Sequence, residues 1–365
     1  MQLRELKLSC WRNFTQAQVE FGPGLNFVIG PNGAGKTNLL EAVAYLGQVR
    51  SFRRALDRDL ITSGEKASSI SGLFSLESQA YTRQVNIRIT PSVKAVSLDG
   101  KRMKTLSSYF GNVSVISFDP RKVFLFRGEP SERRRALDEA LSAIYPKYLY
   151  SLSRYKRILK QRNQALQQGS DDDILSVYSR EIITCAYRLV SDRADLIRRV
   201  NQTAGELFER LFGPGVKLGL AYRTNMPVNA DFDTFRDEAR ELFERKRSAE
   251  RIRRSTVVGP HLDDVICTLD GKPIQVYGSQ GHNRLASLSF VLALARAIGQ
   301  ARKENPILVL DDVLSDLDGE RRDKLIREST TLGQTIISGG LEEVPKDTRV
   351  ITVDNGAIKE TTEEA

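Results

Sequence analysis

The 365-residue chain has few of the residues that build metal cages and disulfide frameworks. Its two histidines are too few for a histidine metal cage. Its three cysteines, Cys10, Cys185 and Cys267, lie far apart in the sequence. An odd number of widely spaced cysteines forms no disulfide or metal pattern, so we expect a reducing, cytoplasmic location.

Long apolar runs are also missing. The longest nearly apolar segment, residues 285–295, contains two serines. It is too short to span a bilayer, which takes about 20 apolar residues. Residues 1–14 carry charges every few positions and have no apolar centre, unlike a signal peptide. We therefore expect no membrane partner.

Negative charge is in deficit, because 55 Lys and Arg face 46 Asp and Glu and leave a net charge of +9. This balance indicates a polyanionic partner, either nucleic acid or an anionic membrane surface. The basic clusters lie in the middle of the chain. Each could be a solvated helix face balanced by neighbouring glutamates, but together they favour a stripe of sequence-independent phosphate contacts. The candidate DNA-binding residues are Lys156, Arg157, Lys160, Arg245, Lys246 and Arg247.

Apolar periodicity divides the chain into three parts. Residues 1–125 and 255–365 have the short, β-favouring runs of an α/β domain. Residues 126–254 instead carry apolar stripes at helical spacing, and Pro146 should split the first stripe into two helices. The sequence therefore predicts a head built from both chain ends, with an inserted all-helical arm domain.

Residues 30–38, "GPNGAGKTN", match the phosphate-binding P-loop pattern and lie between an apolar strand and a helix. Glycines let backbone N–H groups converge on a phosphate, and the helix N-terminus adds partial positive charge. We expect Lys36 to reach the β- and γ-phosphates of ATP and the Thr37 hydroxyl to bind Mg²⁺. The predicted ATP-binding residues of the loop are Gly30, Pro31, Asn32, Gly33, Ala34, Gly35, Lys36, Thr37 and Asn38.

A second motif supplies the carboxylates that a P-loop needs. The apolar run of residues 307–310 ends in Asp311, expected to orient the Mg²⁺ shell, and Asp312, expected to polarise the attacking water. Before it, a small turn opens a long helix at Ser279. This order is that of ATP-binding-cassette (ABC) ATPases, in which the signature of one subunit closes over ATP held by the other. The predicted catalytic residues are Lys36, Asp312 and Ser279, and the residues predicted to act across a dimer are Ser279, Gln280, Gly281, His282 and Asp318.

Several blocks together resemble the RecF family of bacterial recombination mediators, over almost the whole chain. They include "RNF" at 12–14, "RSFR" at 50–53, "GEPSERRRALDEAL" at 128–141, "VGPHLDD" at 258–264 and "SQG" at 279–281. The resemblance implies an ATP-dependent homodimer that grips double-stranded, gapped or junction DNA. It implies cooperation with RecR and RecO in loading RecA, a nucleoid-associated setting in DNA repair and the SOS response, and slow, DNA-dependent ATP hydrolysis that serves release. It also places Arg12 and Asn13 at the ATP.

The sequence departs from the family pattern at three places. His282 stands where the family usually has Gln or Glu, Leu262 stands where a basic residue is usual, and the strand end "TIISGG" lacks the family's threonines. One alternative is therefore a nucleotide-gated DNA-binding module without meaningful turnover, which turnover of an Asp312→Asn variant separates from an ATPase. A transporter cassette would not explain the charge, and a chromosome-organising head would need a far longer coiled coil.

Overall fold

The computed structural model describes residues 1–76, 81–228, 230–340, 344–345 and 348–363. Short 3₁₀ segments lie at Asp57–Leu60, Lys122–Phe124 and Pro260–Leu262. The helices are α1 (Lys36–Gln48), α2 (Leu106–Tyr109), α3 (Pro130–Ile144), α4 (Pro146–Gln167), α5 (Asp172–Phe212), α6 (Phe232–Arg253), α7 (Ile274–Tyr277), α8 (Gln280–Arg302) and α9 (Gly319–Thr330). The strands are β1 (Gln2–Trp11), β2 (Phe14–Glu20), β3 (Leu25–Ile29), β4 (Ser68–Ser75), β5 (Thr82–Ile89), β6 (Lys94–Leu98), β7 (Lys101–Arg102), β8 (Val115–Phe118), β9 (Leu218–Arg223), β10 (Asp264–Leu269), β11 (Lys272–Pro273), β12 (Ile307–Leu310), β13 (Thr335–Ser338), β14 (Arg349–Asp354) and β15 (Ala357–Glu363).

The described residues form two compact units. The first comprises Met1–Val123, Arg210–Pro214 and Ser287–Ala365, and the second comprises Phe124–Glu209 and Gly215–Ala286. Both ends of the chain thus contribute to the first unit. This division places residues 255–286 with the helical middle of the chain. The predicted domain limits 1–125, 126–254 and 255–365 stay a prediction.

The first unit contains the sheet that carries the nucleotide motifs. Its strand order is β15-β14-β3-β13-β12-β8, and all neighbours pair in parallel except β14 with β15. Strands β12 and β13 are buried at every residue, as expected for a parallel sheet covered on both faces. The carboxyl ends of these strands therefore lie at one edge, where ligands of open α/β sheets bind.

A second, antiparallel sheet in the first unit has the order β2-β1-β4-β5-β6-β7. Leu3, Leu6 and Leu8 of β1 are buried in the apolar core of this unit, and an irregularity in the pairing with β4 lies between Leu3 and Glu5. Gln334 directly precedes β13 of the parallel sheet. Its side chain donates to the carbonyls of Leu3 in β1 and of Gly22, and so links the two sheets.

The second unit is mostly helical. Pro146 opens α4 directly after α3 ends at Ile144, as predicted. Helix α4 buries one stripe, including Tyr148, Leu152 and Tyr155, at spacings of three and four residues. Among the described residues, no helix is long and apolar enough to cross a membrane.

The prediction that the inserted segment is all-helical is wrong at one place. Residues 218–223 form β9, which pairs with β10 in a small antiparallel sheet of order β11-β10-β9. Leu218 and Leu220 are buried while alternate residues are not, which is a period of two. The partner strand lies some 45 residues later, so local helical periodicity could not reveal the pairing.

Candidate functional site

The P-loop lies between β3 and α1, as the sequence predicts. Lys36 is the first residue of α1, and the N-terminus of this helix is therefore at the loop. The Lys36 ammonium donates to the Gly30 carbonyl at 2.6 Å and to the Pro31 carbonyl at 3.2 Å. It is thus folded over the loop that would surround a phosphate.

Three side chains from three elements meet beside the P-loop. The Thr37 hydroxyl donates to Asp311 Oδ1 at 3.1 Å, although the two residues are 274 positions apart. The Ser338 hydroxyl, at the end of β13, donates to the same oxygen at 2.7 Å. Ser338 Oγ in turn accepts the backbone N–H of Asp312 at 2.9 Å. The structure therefore joins the two nucleotide motifs through one carboxylate.

The surroundings of Asp311 suit a divalent cation. Burial raises the pKa of its carboxyl, hydrogen bonds from Ser338 and Thr37 oppose this, and neighbouring Asp312 and Asp119 raise the pKa further. A cation would relieve this concentration of acidic groups. A hydroxyl and a carboxylate are the oxygen ligands that Mg²⁺ prefers, so Thr37 and Asp311 fit a Mg²⁺ ion.

Ser338 is a site residue that sequence reasoning missed, because the strand end was noted only for what it lacks. Asp312 has a φ of 50°, in the left-handed region. Such a conformation costs about 1–3 kcal/mol and persists where the surroundings fix it. The Ser338 hydroxyl is one of the groups that fix it. The signal available in the sequence was Ser338 itself, a polar residue at the end of the apolar strand that follows the aspartate strand.

Two asparagine side chains form hydrogen bonds at the P-loop. Asn13 Nδ2 donates to the Ala34 carbonyl at 2.9 Å, and Asn38 Nδ2 donates to Asn13 Oδ1 at 2.8 Å. Arg53, from the "RSFR" block, donates to Asn38 Oδ1 at 3.0 Å. Asn13 therefore contacts the loop directly, Asn38 bonds the Asn13 side chain, and the predicted contacts of both with ATP stay a prediction.

Arg12 is engaged inside the protein. Its guanidinium makes two hydrogen bonds to the fully buried carboxylate of Glu41 in α1, at 2.9 and 3.1 Å. It also donates to the Asp59 carbonyl at 3.0 Å. These bonds tie Arg12 to α1 and to the 3₁₀ segment Asp57–Leu60, while the predicted contact of Arg12 with ATP stays a prediction.

The turn between β14 and β15 also supports the P-loop. The Gly356 N–H donates to the Ala34 carbonyl at 2.9 Å, the same oxygen that Asn13 bonds. A Cβ at Gly356 would lie 2.1 Å from the Asn13 carbonyl oxygen, and one at Gly30 would lie 2.0 Å from the Val353 carbonyl oxygen. The β14–β15 turn can lie this close to Asn13, and the P-loop this close to β14, only because both positions are glycines.

Changing Gly356 to alanine should therefore weaken ATP binding. Asn355 and Gly356 have φ angles of 48° and 76°. An alanine there costs about 1–2 kcal/mol in turn strain and also displaces the Ala34 hydrogen bond. We expect the ATP dissociation constant to rise by about tenfold, a change of ~1.4 kcal/mol. Equilibrium binding of ATP measures it.

Gly100→Ala is the matched control. Asp99 and Gly100 form the β6–β7 turn with nearly the same φ angles, 49° and 76°, in the same unit. No atom lies within 4 Å of a Cβ at Gly100. This variant should lose similar turn stability but keep its ATP affinity. Equal affinities for the two variants would show that the β14–β15 turn does not hold the P-loop.

The signature residues lie in the second unit, at the start of α8. Ser279 precedes the helix, and Gln280 and Gly281 are exposed. The His282 N–H donates to Ser279 Oγ at 3.2 Å, and the Ser279 N–H donates to His282 Nδ1 at 3.1 Å. Ser279 Oγ also lies 2.9 Å from His282 Nδ1. In the first unit, Asp318 accepts the N–H of Arg321 and so caps α9.

The candidate DNA-binding residues differ in their surroundings. On α4, Arg157 and Lys160 are exposed, and the 63% exposed Lys156 lies 4.0 Å from an Asp138 carboxylate oxygen. On α6, Arg245 and Lys246 are exposed. Arg247 instead pairs with Asp172 at 3.0 Å and donates to the Ser176 hydroxyl. Their contacts with DNA stay a prediction, and Arg247 has a structural role within the second unit.

The "VGPHLDD" block builds the interior of the second unit. Asp263 pairs with buried Arg193 at 3.0 Å, and Asp264 pairs with buried Arg133 at 2.6 Å. His261 Nδ1 lies 2.6 Å from the Tyr155 hydroxyl, and burial lowers the pKa of His261. Leu262, the departure from the family pattern, is 49% exposed. The departure thus lies at a surface position, outside this buried polar network.

Comparison with known proteins assigns the motifs to one family. The DNA replication and repair protein RecF of Streptococcus gordonii is 34% identical over 98% of this chain and 100% of its own length. The chain belongs to the RecF family. The RecF protein of Halalkalibacterium halodurans is 32% identical over 98% of this chain and 99% of its own length. A family model described as the RecF/RecN/SMC N terminal domain matches residues 2–354.

Solved structures agree on the fold. The recombination mediator protein RecF-ATPrS in the RecFOR pathway has a TM-score of 0.91, at 25% identity, and the match covers 98% of this chain and 97% of that chain. The Smc head domain with an extended coiled coil bound to the C-terminal domain of ScpA, from Pyrococcus furiosus, has a TM-score of 0.57 at 17% identity, over 99% and 96% of the chains. The predicted RecF membership and ABC-type ATPase fold are therefore confirmed.

Proposed function

We propose that this RecF-family chain binds ATP with Mg²⁺ and, as an ATP-dependent homodimer, holds double-stranded DNA near gaps or junctions during repair. The observation that carries the proposal is the bond between Thr37 of the P-loop and Asp311 of the aspartate strand. Relatives of the same length are named DNA replication and repair proteins, and a similar chain was solved as RecF-ATPrS. Cooperation with RecR and RecO in loading RecA, in the cytoplasm and at the nucleoid, belongs to the same proposal.

Each site residue has a defined task in this proposal. Lys36 leaves the Gly30 and Pro31 carbonyls and pairs with the terminal phosphates. Thr37 and Asp311 would hold Mg²⁺, which when bound would supply positive charge to the phosphates. Asp312, fixed through its N–H by Ser338, orients and polarises the attacking water. Hydrolysis is slow, depends on DNA and releases the dimer.

The signature turn supplies the dimer contact in this proposal. A helix N-terminus with a serine is an anion site, and Ser279 would contact ATP bound by a second copy. We expect Ser279→Arg to keep ATP affinity and to lose ATP-dependent dimerisation, because the bulky side chain blocks the approach of the partner. Sedimentation with and without a non-hydrolysable ATP analogue and a gapped duplex measures nucleotide response, mass and DNA binding together.

Thr184→Arg is the matched control, since Thr184 is an exposed hydroxyl residue of the same unit and is not among the residues predicted to act across the dimer. It should leave the ATP-dependent mass less affected than Ser279→Arg does. A Ser279→Arg protein that still doubles its mass with the analogue would contradict the proposed dimer.

A further inference from the structure

The turn at the start of α8 has the hydrogen-bond pattern of a capping box. In a capping box, a serine before the helix accepts the N–H of the residue three positions later, whose side chain accepts the serine N–H. Ser279 and His282 make both bonds, at 3.2 and 3.1 Å. The residue that usually fills the second role is Glu or Gln, which are also the residues usual at this position in the RecF pattern. His282 does the same task with a ring nitrogen.

The bonds define the protonation state of His282 in this turn. The Ser279 backbone N–H can only donate, so His282 Nδ1 must offer a lone pair. The imidazole is therefore neutral, with its proton on Nε2. The Ser279 hydroxyl is 2.9 Å from the same Nδ1 while its oxygen accepts the His282 N–H.

We propose that His282 is a positioning residue for Ser279, and that only its neutral imidazole holds the signature turn in the form that receives ATP from a second copy. The inference rests on the proposed function of Ser279. A protonated ring carries a proton on Nδ1 and cannot accept from the Ser279 N–H, so the cap is lost. Glutamine in the same place keeps the cap over the whole range of pH.

Among the described residues, the charged groups near this turn include Arg127, Lys272 and Arg284. Arg127 donates to the Gly278 carbonyl, and the Lys272 ammonium lies 5.6 Å from the centre of the Tyr277 ring. Arg284, two residues after His282, is buried. Arginine and lysine keep their charge between about pH 5 and 8. The comparison of the native chain with His282→Gln therefore isolates the contribution of the His282 ring to this turn.

The first test measures ATP-dependent dimerisation between about pH 5.5 and 8, with the native chain, His282→Gln and His282→Ala, using a non-hydrolysable ATP analogue. The native dimer should weaken as pH falls, because protonation opposes the competent turn. His282→Gln should dimerise as well as the native chain at pH 8 and respond less to pH. His282→Ala, without the cap, should be about fivefold weaker at pH 8, from a loss of ~1 kcal/mol.

Each deviation has a definite meaning. The titration of the nucleotide and of His261, the second histidine, is common to all three proteins. Equal pH profiles for the native chain and His282→Gln would overturn the inference. A native dimer that strengthens in acid, with a flat His282→Gln profile, would show that the imidazolium contacts phosphate and would equally overturn it.

A second measurement does not depend on dimerisation. Nitrogen NMR of the imidazoles in the free chain distinguishes the tautomers, and two histidines give a simple spectrum. The His282 signals, identified by their loss in His282→Gln, should report a proton on Nε2 at pH 8. A proton on Nδ1 would refute the positioning role even if Ser279→Arg behaves as proposed. If His282 has the expected tautomer but Ser279→Arg still dimerises with ATP, the dimer contact is refuted instead.

Discussion

Replacing Lys36 with alanine is expected to weaken ATP binding by about 100-fold or more. Lys36 is the cation at the start of α1, and its ammonium contacts the carbonyls of Gly30 and Pro31. Truncating one partner of a hydrogen-bonded charge pair costs about 2–5 kcal/mol, and ~2.7 kcal/mol corresponds to 100-fold. The variant also loses the hydrogen bonds from the Lys36 ammonium to the loop carbonyls of Gly30 and Pro31. Direct binding of labelled ATP measures the effect.

Lys94→Ala is the matched control for this experiment. The Lys94 ammonium also donates to a backbone carbonyl, that of Val49, at 2.7 Å, and pairs with Asp57 at 2.9 Å in the same unit. Its removal should lower stability but leave ATP affinity within about twofold, since its partners Val49 and Asp57 are not among the predicted ATP-binding residues. Unchanged ATP affinity in Lys36→Ala would contradict the P-loop assignment.

The parts of the site that the sequence predicts are those encoded locally. Residues 30–38 combine glycines, a lysine and a following helix within one short stretch, and residues 307–312 combine a buried strand with its carboxylates. Parallel strands bring such ends to one edge of a sheet, so the meeting of Thr37 with Asp311 also follows. These features depend on residue types and spacing that a single chain displays directly.

The parts that the sequence did not predict depend on pairing between distant segments. Gly356 supports Ala34 from 322 positions away, and a glycine in a hairpin turn has no local mark of such a contact. In the sequence, Ser338 is a serine at the end of an apolar strand. Its contact with Asp311 depends on the pairing of β13 with β12. Arg247 belongs to a basic run in sequence but pairs with Asp172 in the structure. Each depends on a partner that periodicity does not identify.

DNA affinity should fall steeply with salt, and ATP should increase it. Two chains of net charge +9 repel one another, so neutralisation by DNA phosphates favours the dimer. If ATP promotes a dimer that binds DNA, then DNA promotes ATP-bound dimers by the same factor. A dimer that neutralises about 6–10 phosphates should lose ~10³-fold or more in affinity between roughly 50 and 200 mM salt. Fluorescence anisotropy of a labelled gapped duplex across salt concentrations, with and without ATP, measures both effects.

The structure sharpens which basic residues to change in this experiment. Arg245 and Lys246 are exposed on α6, whereas the neighbouring Arg247 pairs with Asp172. The double change of Arg245 and Lys246 to alanine should flatten the salt slope by about 0.9 for each DNA phosphate that the variant no longer neutralises, with ATP affinity retained. Arg247→Ala is the control on the same helix and should leave the slope nearly unchanged, because its charge is already paired.

The outcomes separate the mechanism from the placement of the residues. A DNA affinity that ignores ATP, or a salt slope near zero in the native chain, would contradict the ATP-dependent grip on DNA, because phosphate contacts release counterions wherever they form. If the salt slope of the native chain is steep and the double variant does not change it, the mechanism is retained, but the DNA contacts lie at residues other than Arg245 and Lys246. Lys156, Arg157 and Lys160 on α4 are then the next residues to replace, since they are exposed on another helix of the same unit.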